Sequence, residues 1–379
     1  MPTSSFWLDE PTEPLPRAGW QGPAEIAVVG GGVTGCSCAL TLAEAGVRVR
    51  LHEAREVAGG ASGRNGGFAL RGAAVAYDVA RDQLGGEAAR RLMELTERTQ
   101  DRLEQLAGDA FRRVGSLRLA WDEDERGELR REYEALHADG CAVEWLDRLD
   151  PPLDRLFHGA IVHPRDGALQ PARWVRRLAR RAAEAGADIQ EHDAVAVDDL
   201  DVDAVVVCGD GSTARLLPEL AAHVRATRGQ VLVTEPLAQR LYERPHYARH
   251  GWDYWQQLPD GRLVIGGRRD SSLATEETDV EEVTDVVQEH IEALVEQLAG
   301  SRPRVERRWA GIWGTTADLL PLAGRVPGRD RVWVAGGYSG HGNVLGLACG
   351  DLVARAILGE APPPELELFD PARLEASQT

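Results

Sequence analysis

The sequence predicts an α/β fold joined to an α+β one: a Rossmann-like dinucleotide-binding domain with an interleaved, mainly antiparallel second domain. Three observations carry that prediction. A glycine turn joins an apolar run to an amphipathic stretch at 26–45, and the same strand–turn–helix pattern returns at 331–358. Between them, 230–313 alternates in polarity and is rich in aromatic residues. Glycine turns between strand and helix belong to doubly wound sheets, and alternation belongs to antiparallel sheets with one covered face.

Residues 1–22 carry acids, prolines, Trp7 and Trp20 but no apolar run of the signal-peptide kind, and read as an N-terminal extension. Ile26-Ala-Val-Val then enters Gly30-Gly-Gly-Val-Thr-Gly35, and the acid Glu53 closes a second apolar run at 47–51. Gly30 suits the tight turn, Gly32 lets backbone approach a pyrophosphate, and Gly35 lets the helix pack closely on the strand. The helix start offers unpaired N–H groups and a positive dipole end to phosphates. Glu53 is spaced to accept hydrogen bonds from a ribose hydroxyl. Its charge would repel a 2′-phosphate, which leaves NAD or FAD rather than NADP.

The stretch 59–68 is too rich in glycine for helix or strand and reads as turns or as close backbone approach to a ligand. A helix is predicted at 87–107, with Leu92, Leu95, Leu103 and Leu106 on one face. A strand at 115–121 and a charged helix to 135 follow. Pro171 opens a helix at 171–185, whose apolar face is Trp174, Val175, Leu178 and Ala182. The runs 194–197 and 204–207 read as buried strands. Antiparallel strands are predicted at 231–234, 252–256, 263–265 and 305–313, interrupted by an acidic helix at 278–298. The chain closes with a strand at 331–335, a glycine turn at 336–342 and a helix at 344–358. Nucleotide-binding segments are thus expected at 23–75, 155–225 and 320–379, and the second domain at 76–154 and 226–319.

The length, 379 residues, suffices for two domains. A net charge of −18 argues against nucleic acid or an anionic membrane as partner and mildly favours a neutral or cationic substrate. No apolar run reaches membrane-span length. All 43 basic residues are arginine, so a lysine Schiff base is excluded. Cys36, Cys38, Cys141, Cys208 and Cys349 lack zinc spacing and read as core thiols of a reducing compartment, hence a cytoplasmic protein. His246 and His250 have helical spacing, but Pro245 and Gly251 bracket them, and no metal site is expected.

Four segments together carry a family resemblance. They are Gly60-Ala-Ser-Gly-Arg-Asn-Gly-Gly-Phe68, Tyr254 with 259–267, Arg308-Trp-Ala-Gly-Ile312 with 316–324, and Ala335-Gly-Gly-Tyr-Ser-Gly-His-Gly342. In these the chain resembles the D-amino-acid-oxidase-like superfamily of FAD-dependent enzymes, in its glycine/sarcosine oxidase and γ-glutamylputrescine oxidase branch. The resemblance covers nearly the whole chain. It implies an FAD-binding domain and a substrate domain, with FAD extended between them. Gly30, Gly32, Thr34 and Gly35 match the pyrophosphate turn, Glu53 the adenosine ribose ligand, and Arg55 its neighbour. Ser62, Arg64 and Asn65 match the loop along pyrophosphate and ring, and Val195 the adenine contact. Gly337, Gly340, His341, Gly342 and Asn343 match the loop beside the isoalloxazine.

Departures from the family pattern are informative. Sarcosine oxidases carry a flavin-linked cysteine where this chain has Gly311, so non-covalent FAD is expected. Their oxygen-activating lysine aligns with Val264, and the carboxylate-binding arginine of glycine oxidases aligns with Trp313. The expected reaction is oxidation of a C–N bond in an amine or amino acid by hydride transfer to flavin, giving an imine that hydrolyses. O2 is one candidate electron acceptor. Tyr254, Trp313, Arg268 and His341 are the expected catalytic or substrate-contacting residues, with Arg268 also suited to pair with Asp270. Arg71 is a further candidate carboxylate anchor, while Thr316 and Asp318 suit a capped bend. Oxidation of a 2-hydroxy acid, or a flavin-bearing subunit without turnover, are the alternatives.

Overall fold

A computed structural model describes residues 3–361 and 364–376. Ile26–Val29, four residues without an exposed side chain, form the centre of a six-stranded sheet. On one side stand Val49–His52 and Asp188–Gln190; on the other stand Ala204–Val207, Val332–Gly336 and Leu322–Arg325. All neighbours are parallel except the last pair. The strands are short and apolar because helices and core cover both faces. Helix Val33–Glu44 crosses helix Gly342–Ile357 closely, since a Cβ on Gly350 would lie 2.3 Å from the Thr34 carbonyl oxygen. Helix Pro171–Glu184 packs beside them, started by Pro171 and by the Gln170 side chain, which accepts the Arg173 N–H.

The second sheet has eight strands, in the order Val305–Thr315, Arg225–Pro236, Arg262–Gly267, Asp253–Gln257, His246–Ala248, Ser116–Leu119, Ala160–His163 and Glu144–Leu146. Only His246–Ala248 and Ser116–Leu119 run parallel. Alternation assigns Leu232, Trp255, Leu263 and Ile265 to one face, where they pack with Val287, Ile291 and Leu294 of helix Asp285–Ala299. The other face carries Gly229, Val231, Gly266, Tyr254, Tyr247 and Arg118 and forms a cavity wall. Phe68–Ala69, Gly167–Leu169 and Phe111–Arg112 make a small third sheet.

The structure corrects several sequence expectations. Residues 194–197 are not a strand: they run partly exposed along the cavity and end in a single 3-10 turn. The edge strand is instead Asp188–Gln190, whose polar D-I-Q gives no apolar signal. The acidic helix starts at Asp285 rather than 278, because 278–284 is irregular and Gln230 Oε1 accepts the Thr284 N–H. Ala160–His163 falls within the segment 155–225 yet pairs in the eight-stranded sheet, so a boundary drawn on strand pairing lies after that strand. The N-terminal extension packs against the loop 59–68. Trp7 is 2% exposed, and its indole donates to the Asn65 carbonyl at 2.8 Å. His246 is buried in a ring stack with Trp255 at 5.2 Å, which pushes its pKa down to about 3, while exposed His250 bonds Glu128.

Candidate active site

A cavity of ≈1510 Å³ runs between the two large sheets. It exceeds the volume of an ordinary small-ligand pocket, roughly 300–1,000 Å³. At one end is the turn 30–35. Gly30 has φ +114°, and a Cβ there would lie 2.6 Å from the Cys208 carbonyl oxygen. A Cβ on Gly35 would lie 1.9 Å from the Gly30 oxygen, and one on Gly32 would lie 2.8 Å from Ser62 Oγ. Ser62 Oγ accepts the Val33 N–H at 3.0 Å, tying the loop 59–68 to the helix start. Glu53 accepts the Gly31 N–H at 2.6 Å and the Arg55 N–H at 2.8 Å, and lines the cavity with Arg55 and Val195. Thr34 Oγ1 and the Tyr338 hydroxyl share a hydrogen bond of 2.9 Å.

Arg64, Asn65 and Asn343 line the cavity but spend their polar groups on the scaffold. Buried Arg64 donates to the carbonyls of Gly59, Thr3 and Ala310. Asn65 bonds the carbonyls of Ala61 and Ser62, and Asn343 donates to Asn65 Oδ1 and to the Phe68 carbonyl. Gly337 lies behind the wall, with its N–H and that of Tyr338 donated to Asp210 Oδ1. Burial pushes the Asp210 carboxyl up to about 6, against the pull of those N–H groups. Sequence reasoning missed this acid; its signal is the Gly-Asp-Gly after strand Ala204–Val207. Ser339, Gly340, His341, Gly342 and Asn343 face the cavity at the start of helix Gly342–Ile357. The positive end of that helix dipole therefore opens onto it.

At the other end two rings are seated over glycines. Tyr254 lies where a Gly266 Cβ would be, within 2.6 Å, and Trp313 lies within 2.3 Å of a Gly229 Cβ position. Tyr254 also meets Phe68 edge to face at 6.0 Å. His341 is neutral because burial and nearby Arg118 push its pKa down to about 4, and its Nδ1 has no partner among the described residues.

The two arginines expected to anchor a substrate anion are both engaged by carboxylates of the scaffold. Arg268 does not line the cavity and pairs with Asp253 at 2.9 Å, not with Asp270, which Arg249 takes. Arg71 lines the cavity but is held by Glu97, Asp166 and the Ala142 carbonyl. The missed residue is Arg269. Its guanidinium lies 4.1 Å from the Trp252 ring centre and 5.6 Å from that of Trp313. It lines the cavity, and no carboxylate among the described residues is within ion-pair distance. Val264 is 1% exposed in the core, and Asp318 caps a bend by accepting the Leu320 N–H while pairing with Arg373.

The cradle therefore suits a dinucleotide: a Cβ-free turn, a helix start open to anions and an acid at the ribose distance, continuous with an aromatic end. Comparison with known proteins agrees. The profile described as FAD dependent oxidoreductase matches residues 25–356. The chain is 30% identical to the γ-glutamylputrescine oxidoreductase of Escherichia coli K12, over 89% of this chain and 84% of that one. It is 28% identical to the glycine oxidase of Bacillus licheniformis, over 93% and 98%. The crystal structure of glycine oxidase from Geobacillus kaustophilus shares the fold, with a TM-score of 0.76 at 24% identity, over 92% of this chain and 98% of that one. No helix among the described residues is long and apolar enough to cross a membrane. On the glycine cradle, the sheet topology and the profile match, the chain belongs to the family of FAD-dependent oxidoreductases.

Proposed function

We propose that this protein oxidises a C–N bond of a carboxylate-bearing amine, that is, an amino acid or N-substituted amino acid, to an imine that water hydrolyses. The observation that carries this reading is Arg269, an unpaired cation seated between Trp252 and Trp313 at the Tyr254 end of the cavity. Glycine oxidases resemble this chain in sequence, and Trp313 aligns with their anchoring arginine. Here a guanidinium reaches the same neighbourhood from the turn after strand Arg262–Gly267. FAD, when bound, supplies the hydride acceptor.

The chain's own residues bind, orient and dry the substrate. Arg269 holds the carboxylate, and Trp313 covers the carbon chain. Tyr254 stays a protonated phenol, because burial pushes its pKa up, and offers an O–H donor. The reacting amine must be neutral to release its lone pair. Neutral His341 avoids placing a second cation near it. Cys208 is the one cysteine lining the cavity among the described residues and lies at the Gly30 end, which supports non-covalent FAD.

Anaerobic mixing with amino acids, amines and 2-hydroxy acids tests the proposal. Flavin bleaching by a carboxylate-bearing amine is the expected result; bleaching by hydroxy acids alone would overturn it. The bleaching rate should rise with pH along the substrate's amine titration. His341 is already neutral above about pH 5, given its pKa of about 4. A rise through pH 6–7 that vanishes in His341→Asn would instead make His341 a base and favour the C–O reaction.

A further inference from the structure

The cavity does not stop at the aromatic end. Strand register aligns Tyr254 with Tyr247, and Tyr247 with Arg118, on one face of the eight-stranded sheet. All three line the cavity. Two strand spacings separate Tyr254 from Arg118, about 10 Å at 4.7–4.9 Å per strand. That is roughly three extended residues, or eight to nine chain bonds. Leu70, Tyr77, Ala80, Leu92 and Met93 line the same cavity, with Glu132 beside Arg118.

The far end is polar and under-satisfied. Arg118 pairs with Glu132, yet its Nε has no partner among the described residues. His163 faces Ser116 in the register next to Arg118, lines the cavity and is 6% exposed. Its Nδ1 lies 3.3 Å from Arg71 Nη2, which can only donate, so the ring proton sits on Nε2. That Nε2 has no acceptor among the described residues. Both donors are wholly buried and lack acceptors, beside a cavity that Arg118 and His163 line, and a small turn of either side chain would present them to an acceptor brought in from outside.

We infer that the substrate is elongated, its chain running from Tyr254 over Tyr247 and ending in a carboxylate or amide carbonyl at Arg118 and His163. The inference rests on the proposed reaction only for which end is oxidised. Arg269 and the Arg118–His163 pair would then grip the two ends of one molecule.

Linear, non-oxidisable probes test it in the FAD-loaded protein, with the flavin absorbance spectrum as readout. Monocarboxylates from butanoate to decanoate should tighten about fourfold per methylene as the passage fills. Dicarboxylates from succinate to sebacate, and their monoamides, should bind worse than monocarboxylates when short. They should bind about tenfold or more tighter once the far group reaches the two donors. His163→Phe should abolish that crossover, and Ala80→Leu should lower the ratio of long-probe to short-probe affinity. Monocarboxylates that stay tighter at every length, or no length dependence at all, would overturn the inference. Dicarboxylates and monoamides together separate a need for charge from a need for any acceptor. Because no probe is oxidised, a crossover without bleaching by any amine would sink the proposed reaction and leave this inference standing.

Discussion

Gly35→Ala is expected to give a protein that has lost its yellow colour. The new Cβ would sit 1.9 Å from the Gly30 oxygen and 3.3 Å from Val28 Cγ1, so helix Val33–Glu44 must retreat from the sheet. It has nowhere to go. On its far side Gly350 already approaches so closely that a Cβ there would lie 2.3 Å from the Thr34 oxygen. The turn must open instead, and the N–H groups at the helix start no longer converge on a phosphate. Flavin-to-protein absorbance after gel filtration should fall at least about tenfold, since overpacking of this kind costs about 1–3 kcal/mol or more. Gly46→Ala is the control: unlike helical Gly35, Gly46 has positive φ, +82°, which strains an alanine, but its Cβ would meet nothing within 4 Å. It should keep its flavin. Full occupancy in Gly35→Ala would mean that this turn does not hold the pyrophosphate.

Arg269→Met should raise KM for carboxylate-bearing amines about 10- to 100-fold, the loss expected for a hydrogen bond to a charged group of about 1.5–3 kcal/mol. Amines of equal length without the carboxylate should change little, and that contrast is the measurement. Burial lowers the Arg269 pKa, so the cation is partly stripped of water and stands to gain from an anion. Arg269→Lys should rescue poorly, because an ammonium cannot lie flat against the two indoles as a guanidinium does. Equal losses for both classes of amine would reduce Arg269 to a support for Trp252 and Trp313.

The glycine turn, Glu53 and the loop 59–68 were legible in the sequence because backbone crowding leaves glycine as the residue that fits. Which arginine faces the cavity was not legible, for a local reason. Alternation along strand Arg262–Gly267 assigns Val264, Gly266 and then Arg268 to the cavity face. But Gly267 at φ +121° and Arg268 at φ +56° break the extended backbone, and the parity shifts so that Arg269 faces inward. Arg71 looked free because its partners, Glu97 and Asp166, are 26 and 95 residues away in sequence. The passage to Arg118 was likewise hidden, since it exists only in the register between Tyr247 and Arg118, two strands from separate parts of the chain.

The crossing of helices Val33–Glu44 and Gly342–Ile357 also sets a timetable. The Ser37 hydroxyl donates to the Leu347 carbonyl, 310 residues later. At about 5–20 residues per second, the ribosome needs tens of seconds to deliver that partner. Until then Val33, Thr34 and Cys38 have no Gly346 and Gly350 to cover them, and the nascent chain carries a phosphate turn with one wall missing. Cofactor capture is therefore an event of the finished chain, and a message cut short before codon 342 would yield a protein unable to keep its flavin.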